Sequence, residues 1–407
     1  MDRKIKTWDG APASGQPAGG TPALLGSGTR ANHFDPVALC VPGVRTLKPY
    51  EPGKPITELQ RELGISDIVK LASNENPLGP TPRAIEALKK AAEEVALYPD
   101  GGAHALKAAL SEYHDIDPER IIVANGSDHV LELAARAFLA AGRSAVMSRY
   151  GFSIFSIVAR AAGADLRVVE AHPPQHATQP YGHDAQALAE AVDETTRILY
   201  VANPNNPTGT WLNRDDIETL LARVPTTTLV LLDEAYYDYV APFEPAYPDS
   251  RSLIERFPNL LVTRTFSKAY GLAGARVGYA LCAPLLADVL NRVRLSFNPN
   301  SLAQAAAVAA LADRAHVERS ADFNFKARKT LAEGLRGLGL ETIPSVCNFV
   351  TADVGRPGRE VFKALLAEGL ITRPLDPYGL TNHLRISVGL EEQNARLIAA
   401  LARIFGP

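Results

Sequence analysis

The chain has 407 residues, of which 46% are hydrophobic and 21% are charged, an ordinary composition for a globular protein long enough to form two domains. A formal net charge of −3 gives no electrostatic reason to expect binding to nucleic acid or to an anionic membrane. The three cysteines lie far apart without metal-ligand spacing, so we expect neither a disulfide framework nor a metal site. No apolar run is long enough to span a membrane and no secretory signal is recognisable, so we expect a cytoplasmic protein.

The first part of the chain differs in composition from the rest. Residues 10–30 are rich in glycine, proline, alanine, serine and threonine, a mixture that buries little apolar surface. The composition therefore predicts a flexible N-terminal extension. Ordered structure is expected to begin near VPGVRTLKPYEPGKP, residues 41–55.

Short apolar runs then alternate with helical patterns. The strand-like runs are 121–125, 144–148, 165–171, 197–203, 228–236, 259–266 and 275–282. Helices are predicted over 127–140, 153–162 and around 185–191, from the spacing of their apolar residues. Strands that are almost wholly apolar and separated by helices predict a parallel sheet covered on both faces.

The pattern changes from about residue 315. A long predicted helix at 316–338 leads to the run NFVTADV, and a second helix covers 358–368. The runs ITRPL and HLRISVG follow, before a final helix at 391–404. This order predicts a smaller α+β domain.

Polar residues follow the strands of the predicted sheet, where ligands of an open parallel sheet bind. Ser127 and Asp128 open a helix whose free N–H groups can hold an anion, although a plain helix cap explains them equally. Asn206 lies in the turn NPNNPTG, which is either an ordinary turn or one that aims a side-chain amide. Each of these signals is weak alone.

The next two strand ends carry opposite charges. Asp233 follows an apolar run, where a carboxylate is costly unless it caps a helix or meets a cation. Lys268 lies near the mouth of another buried strand, so burial should lower its pKa and make it a nucleophilic amine. Arg276 follows in a glycine-rich run and could bind a phosphate with its guanidinium fork.

In their order, GSD, NPNNPTG, DEAY and SKAYGLAGARVG resemble the fold type I aminotransferases that use pyridoxal 5′-phosphate. Within that group, LKPYEPGKP, LASNENPLG, LYPDG and HLRISVGL are most similar to the histidinol-phosphate aminotransferases. The resemblance implies an α/β fold with a mostly parallel seven-stranded sheet in a large domain, a smaller α+β domain, and a homodimer. The implied division is an extension at 1–35, an arm at 36–80 that joins the small domain and the dimer contact, a large cofactor-binding domain at 81–310 and a small domain at 311–407.

The resemblance also implies roles for the matched residues. Lys268 would bind the cofactor aldehyde covalently and act as the catalytic base and acid, while Asp233 would pair with the pyridine nitrogen. The other implied cofactor contacts are Ser127, Asp128, Thr265, Ser267 and Arg276 at the phosphate, Asn206 and Tyr236 at the phenolic oxygen, Tyr150 stacked on the ring, and Tyr98 reaching the phosphate from the neighbouring subunit.

For the substrate, the resemblance implies that Arg373 and Arg385 bind an anionic group, with Tyr50, Asn76 and Asn348 nearby. The implied reaction is transamination of L-histidinol phosphate with 2-oxoglutarate in histidine biosynthesis. Residues 148–149 and 296–300 depart from the family pattern, so an aromatic amino-acid aminotransferase and a phospho-amino-acid decarboxylase on the same scaffold stay open. A structural salt bridge is the alternative role for either arginine.

Overall fold

The structure is a computed structural model and describes residues 35–47 and 54–406. The described residues divide into two units, with the boundary between Cys40 and Val41. The described part of the first unit contains one helical turn, α1 (Pro36–Leu39). Most of the predicted N-terminal extension, and the predicted substrate residue Tyr50, lie outside the described residues.

The second unit alternates strands and helices along most of its length. Its strands are β1 (Val69–Lys70), β2 (Ile121–Ala124), β3 (Ser144–Ser148), β4 (Asp165–Val169), β5 (Thr196–Ala202), β6 (Leu229–Asp233), β7 (Leu260–Thr265), β8 (Gly278–Cys282), β9 (Glu341–Ile343), β10 (Phe349–Asp353), β11 (Leu370–Ile371), β12 (Arg373–Leu375) and β13 (Leu380–Ser387). Its helices are α2 (Pro42–Arg45), α3 (Ile56–Leu63), α4 (Pro82–Ala92), α5 (His104–His114), α6 (Ser127–Phe138), α7 (Ser153–Ala161), α8 (Ala185–Glu190), α9 (Arg214–Arg223), α10 (Tyr237–Val240), α11 (Ser250–Arg256), α12 (Pro284–Asn291), α13 (Ser301–Leu311), α14 (Arg314–Gly337), α15 (Gly358–Ala367) and α16 (Glu391–Phe405). Short 3-10 helices occur at Pro118–Arg120, Ala273–Ala275 and Asp376–Tyr378.

A seven-stranded sheet in the order β2–β8–β7–β6–β5–β3–β4 forms the centre of this unit. Strands β3 to β7 pair in parallel, which confirms the predicted parallel sheet, whereas β8 is antiparallel to both of its neighbours. The predicted strand 275–282 begins only at Gly278, because Arg276 adopts a left-handed backbone conformation with φ 58°.

Successive residues of each strand point to opposite faces of the sheet, and both faces are buried. On β6, Val230 and Leu232 pack into a core shared with helices α5, α8, α9, α11 and α13. Leu229 and Leu231 pack into a second core shared with α6, α7 and α12. The central sheet is therefore covered by helices on both sides, as its continuous apolar strands require.

A smaller antiparallel sheet in the order β12–β13–β10–β9 lies in the C-terminal part of the chain. Its core includes apolar residues of α14, α15 and α16. The short strand β1 pairs in parallel with β11, so residues near 70 join this part of the fold. The division into an arm at 36–80, a large domain at 81–310 and a small domain at 311–407 stays a prediction.

Pairing registers bring several strand ends together. Asp233, the last residue of β6, is the cross-strand partner of Ala202 on β5 and of Thr263 on β7. Gly278 on β8 pairs with Thr265 on one side and with Ala124 on the other. The start of α6 and the ends of β5, β6 and β7 therefore meet along one edge of the sheet.

The described residues contain neither a membrane-spanning helix nor a candidate metal site. No helix between 35 and 47 or between 54 and 406 is long and apolar enough to cross a membrane. The same residues contain no group of three or more His, Cys, Asp and Glu side chains suited to a metal ion. Cys282 and Cys347 are buried free thiols, and Cys40 is partly exposed.

Candidate active site

A cavity of about 280 Å³ opens where the strand ends meet the hairpin formed by β12 and β13. Its walls combine most of the residues predicted from strand ends and motifs. The predicted residues in the wall are Ser127, Asp128, Asn206, Asp233, Tyr236, Thr265, Ser267, Lys268, Arg276, Arg373 and Arg385. The wall also includes Ala72, Ser73, Asn74, Phe152, Ile154, Ala202, Pro204 and Ala235, none of which was predicted.

Lys268 follows β7 and points into the cavity. Its Nζ donates a hydrogen bond to the carbonyl of Ser73 at 3.3 Å and lies 5.7 Å from the centre of the Tyr236 ring. Burial, with the positive charges of Arg385 and Arg276, lowers the pKa of Lys268 to about 8, against the opposing effect of Glu75. The predicted amine of lowered pKa is therefore present.

Asp233 is a buried carboxylate held by two hydroxyl groups. Its Oδ1 accepts a hydrogen bond from Thr263 at 2.8 Å, and its Oδ2 accepts one from Tyr200 at 3.0 Å. Burial raises the pKa of Asp233, and these two hydrogen bonds oppose that rise. No salt bridge reaches Asp233 in the described part of the chain, so its charge is available to a cation in the cavity.

Arg276 stands beside the N-terminus of α6. Its guanidinium donates to Asp128 Oδ1 at 2.9 Å and to Ser267 Oγ at 3.3 Å. Gly126, with φ 94°, precedes the helix, and a Cβ at this residue would lie 2.3 Å from Asp128 and 2.5 Å from the Arg276 guanidinium. The close approach therefore requires glycine, and it places a fixed cation next to free N–H groups that favour an anion.

Tyr236 is tied to a network that the sequence did not reveal. Its hydroxyl accepts a hydrogen bond from Asn74 Nδ2 at 2.8 Å. Asn74 also donates its backbone N–H to Ser387 Oγ at 2.8 Å, and that hydroxyl donates to Asn74 Oδ1 at 2.9 Å. Burial raises the pKa of Tyr236, so the phenol stays protonated and can donate into the cavity.

Two predicted substrate residues support this network from outside the cavity. Asn348 donates from Nδ2 to the carbonyl of Asn74 at 2.9 Å. Asn76 donates from Nδ2 to the carbonyl of Ala269 at 2.9 Å and to Ser320 Oγ at 3.0 Å. Both asparagines are buried and neither lines the cavity, so their contacts hold the SNEN segment and the chain after Lys268 in place.

Arg385 is a buried cation of the wall, held by two hydrogen bonds. Its Nη1 donates to Asn206 Oδ1 and its Nη2 to the carbonyl of Ala72, both at 2.6 Å. Its side chain is 6% exposed, and its Nε has no hydrogen-bond partner within the described residues. Arg373 lies opposite on β12 and lines the same cavity.

Two predicted aromatic residues are not part of the cavity wall. The Tyr150 ring packs edge-on against Tyr181 with the ring centres 5.6 Å apart, and the Tyr150 carbonyl accepts a hydrogen bond from Asn205, next to the wall. Phe152, two residues later, lines the cavity instead. Tyr98 is 81% exposed and stacks on Phe297 with the ring centres 4.4 Å apart, so it does not reach the cavity of its own chain.

The sequence contained only weak indications of the site residues Phe152, Thr263 and Asn74, which were not predicted. RYGFSIF contains three aromatic side chains, and in a loop no periodicity selects which one faces the cavity. Thr263 precedes Thr265 by two residues, so strand alternation places both on one face. Asn74 lies in the quoted run SNEN beside Asn76, and its positive φ of 54° distinguishes it only in the structure.

Two known proteins are similar to this chain in sequence, and one solved structure is similar to it in fold. Histidinol-phosphate aminotransferase 2 of Methylococcus capsulatus is 49% identical over 369 residues, which cover 91% of this chain and 99% of that protein. Histidinol-phosphate aminotransferase 2 of Pseudomonas aeruginosa is 49% identical over 373 residues, with coverage of 91% and 99%. The crystal structure of histidinol-phosphate aminotransferase from Sinorhizobium meliloti, in complex with pyridoxal 5′-phosphate, has a TM-score of 0.82 at 30% identity and covers 92% of this chain and 98% of its own.

The family itself follows from a match over most of the sequence. The sequence model of the family "Aminotransferase class I and II" matches residues 66–401. This range contains every residue of the cavity wall. The predicted fold agrees with the structural neighbours, which are fold type I aminotransferases. The chain therefore belongs to the class I and II aminotransferase family.

Proposed function

We propose that this protein is a pyridoxal 5′-phosphate-dependent aminotransferase that transaminates L-histidinol phosphate in histidine biosynthesis. The observation that carries the proposal is one cavity that joins an amine of lowered pKa, Lys268, to the buried carboxylate of Asp233 and to the guanidinium groups of Arg373 and Arg385. Family membership supports the transaminase chemistry. The histidinol-phosphate aminotransferases at 49% identity support the donor.

The charges of the cavity fit those of the cofactor. The N-terminus of α6 and the Arg276 guanidinium would hold the phosphate, with the hydroxyls of Thr265 and Ser267 beside them. Asp233 would pair with the protonated pyridine nitrogen. At an effective dielectric near 20, such a contact pair is worth up to roughly 4 kcal/mol before desolvation. The unpaired buried carboxylate of Asp233 is thus explained by the ligand it would meet.

Other wall residues suit the ring of the cofactor. Tyr150 stays the proposed stacking residue, and Phe152, two residues later in the same loop, adds an aromatic side chain to the cavity wall. The protonated hydroxyl of Tyr236 and the amide of Asn206 would donate to the phenolic oxygen. Asn74 already donates to the Tyr236 oxygen, which leaves the phenol hydrogen free to point into the cavity.

When bound, the cofactor supplies an aldehyde that takes up the donor's amino group and a ring that accepts electrons from the donor's α-carbon. Lys268 Nζ is the proposed base that removes the α-proton, and the same group later returns a proton as acid. A pKa of about 8 suits both tasks, because protonated and neutral amine are both well populated near neutral pH. The positive charges of Arg385, at the proposed substrate site, and of Arg276, at the proposed phosphate site, both lower that pKa, so ligand binding and proton transfer are linked.

Arg373 and Arg385 are the proposed binding site for the substrate anion. Arg385 is oriented by Asn206 and Ala72, so its fork is preorganised and little conformational freedom is lost on binding. The pair would bind the phosphate of histidinol phosphate in the first half of the reaction and a carboxylate in the second. We propose 2-oxoglutarate as the acceptor, and we place these charged metabolites and the enzyme in the cytoplasm.

We also propose a homodimer in which Tyr98 contributes to the partner's cavity. An exposed apolar patch supports this: Tyr98 at 81% and Phe297 at 46% exposure lie with Leu97 and Leu295, at 67% and 63%. Exposed aromatic and aliphatic side chains grouped in this way mark protein interfaces. Sedimentation at micromolar concentration should show a dimer, and a double Leu97→Asp, Leu295→Asp variant should sediment as a monomer.

A half-reaction tests the donor. Purified, cofactor-loaded protein is mixed separately with L-histidinol phosphate, L-phenylalanine and L-tyrosine, and the cofactor's absorbance is followed. We expect fast conversion with histidinol phosphate alone, followed by recovery of the original spectrum on addition of 2-oxoglutarate. Lys268→Ala is the control, which should bind cofactor and show no conversion. Faster conversion with the aromatic amino acids would overturn the proposed donor and leave the transaminase chemistry intact.

A further inference from the structure

A second cavity adjoins two chain segments that also contribute to the candidate active site. It has a volume of about 260 Å³ and is lined by residues of α5, α10 and α14, by the end of α13 and by the loop after β7. Asp238 in its wall follows Tyr236 by two residues, and Tyr270 in its wall follows Lys268 by two residues. The two cavities share no lining residue, so the second one is a separate place where a ligand could bind.

Asp238 brings a carboxylate without a partner to this cavity. Its oxygens form no hydrogen bond or ion pair with another residue in the described part of the chain. The Arg264 guanidinium attracts this carboxylate, but it is already bound to Glu234 Oε2 at 3.0 Å and lies 3.3 Å from the centre of the Tyr237 ring. Burial raises the pKa of Asp238 to about 6, although Arg264 opposes the rise. The carboxylate is therefore ionised at neutral pH in surroundings that disfavour its charge.

The other charged residues of the wall offset each other. Arg314 and Glu318 lie four residues apart on α14, so their side chains are neighbours on that helix. Both are exposed, which places them at the opening of the cavity. Since their opposite charges cancel, Asp238 gives the wall one negative charge in excess.

Three tyrosine rings, those of Tyr113, Tyr237 and Tyr270, make the rest of the wall suitable for a cation. The face of a tyrosine ring attracts positive charge, and the Arg314 guanidinium already lies 5.0 Å from the centre of the Tyr113 ring. The Tyr270 hydroxyl is buried and makes no hydrogen bond within the described residues, although the Tyr113 hydroxyl lies near it. A buried hydroxyl of this kind can accept a hydrogen bond from a ligand.

We propose that this second cavity is a binding site for a small organic cation, a protonated amine or amidine. The positive group would donate hydrogen bonds to the Asp238 carboxylate, and the apolar part of the ligand would contact the tyrosine rings. A volume of about 260 Å³ lies just below the roughly 300–1,000 Å³ of pockets for drug-sized ligands, so the ligand must be small. The inference goes beyond the proposed function and does not depend on which donor reacts.

Benzamidine and benzamide test the proposal, because they have nearly the same shape and only benzamidine is positively charged. Each is titrated into cofactor-loaded, full-length protein at pH 7.5, and binding is followed by NMR of the ligand. We expect benzamidine to bind with a Kd of roughly 1–10 mM, as a ligand of this size allows. Benzamide should bind at least about tenfold more weakly, because it has no charge to pair with the carboxylate.

Asp238→Asn locates the binding site, since it keeps the shape of the side chain and removes its charge. We expect it to weaken benzamidine binding about 10- to 100-fold and to leave benzamide binding unchanged. Asp322→Asn, the same replacement on the exposed side of α14, is the matched control and should bind benzamidine as the wild type does.

Three results would overturn the proposal: no binding of benzamidine to the wild type, equal binding of benzamidine and benzamide, or equal affinity of the wild type and Asp238→Asn for benzamidine. Complete displacement of benzamidine by the amino donor would also overturn it, because the ligand would then occupy the candidate active site. Binding is measured without turnover, so failure of histidinol phosphate as a donor would be seen separately.

Discussion

Arg373 on β12 and Arg385 on β13 are direct cross-strand partners, and both line the same cavity. Like charges placed directly opposite each other destabilise a sheet. Of the carboxylates in the cavity wall, Asp128 contacts Arg276 and Asp233 is held by hydroxyl groups. An anionic ligand bound by both guanidinium groups would reduce this repulsion, in agreement with the proposed binding site for the substrate anion.

Replacing Arg385 by lysine tests whether substrate binding needs the planar guanidinium group or only a positive charge. Lysine keeps the positive charge, but a single ammonium cannot hold Asn206 and Ala72 and also present a planar fork to a phosphate or carboxylate. We expect kcat/KM to fall about 100-fold for both donor and acceptor. Arg336→Lys, at an exposed position of α14, is the matched control. An unchanged specificity constant for both substrates would falsify the assignment of Arg385.

Asp233→Asn tests the proposed partner of the pyridine nitrogen. The amide keeps the shape and can still interact with Thr263 and Tyr200, but it carries no charge to hold the nitrogen protonated. We expect kcat to fall about 10²- to 10³-fold while cofactor stays bound through the phosphate site. Tyr200→Phe, which removes one hydrogen bond to Asp233, should cost no more than about tenfold. Stopped-flow measurement of the donor half-reaction gives both values, and a wild-type rate in Asp233→Asn would refute the role.

The lowered pKa of Lys268 predicts how the chemical labelling of this amine depends on pH in protein from which the cofactor has been removed. Only the neutral amine reacts with an acylating reagent, so labelling of Lys268 should rise with pH and reach half its maximum near pH 8. Arg385→Leu removes a positive charge that lowers this pKa, so the midpoint should move to higher pH. Peptide mass spectrometry measures the labelling, with the exposed Lys363 of the same sample as the internal reference. A midpoint that is the same in both proteins would contradict the electrostatic link.

Much of the central sheet could be predicted because its signals are local. Runs such as RILYVAN and TLVLLDEAY are apolar at successive residues, and only a strand covered on both faces requires that. The reversed direction of β8 had no such signal, since its apolar run looks the same whether it pairs in parallel or antiparallel. Its direction follows from pairing with β2 and β7, which is a property of the whole sheet.

The site was predicted best where a residue follows directly from a strand. Asp233 and Lys268 lie at strand ends, and parallel strands bring their carboxyl ends to one edge. Loop residues were less predictable, because the direction of a side chain in a loop depends on backbone angles without a period. Tyr150 points to Tyr181 and Phe152 to the cavity for that reason. Asn348, placed near the substrate by resemblance, donates to the carbonyl of Asn74, a residue of the cavity wall, and its role at the substrate stays a prediction.

Asp238 offers a test of stability outside the candidate active site. It lies in α10 and lines a second cavity of about 260 Å³ with Tyr113 and Tyr270. Burial raises the pKa of Asp238 from 3.8 to about 6, although the positive charge of Arg264 opposes the rise. The folded state thus binds the proton more tightly than the unfolded state does. Stability therefore falls as pH rises from about 4 to about 6, and the loss is complete at neutral pH.

Asp238→Asn removes this penalty because the amide never ionises. At pH 7.5 the variant should be more stable than the wild type by roughly 1–2 kcal/mol, after allowance for the partial exposure of Asp238 and its lost attraction to Arg264. The gain should shrink toward zero below pH 4, where the wild-type carboxyl is protonated in both states. Melting temperatures of cofactor-loaded protein at pH 4, 5.5 and 7.5 test this, with Asp322→Asn on the exposed side of α14 as the control. A gain that is equal at all three pH values would contradict ionisation as its cause, and a loss at pH 7.5 would show that attraction to Arg264 outweighs burial.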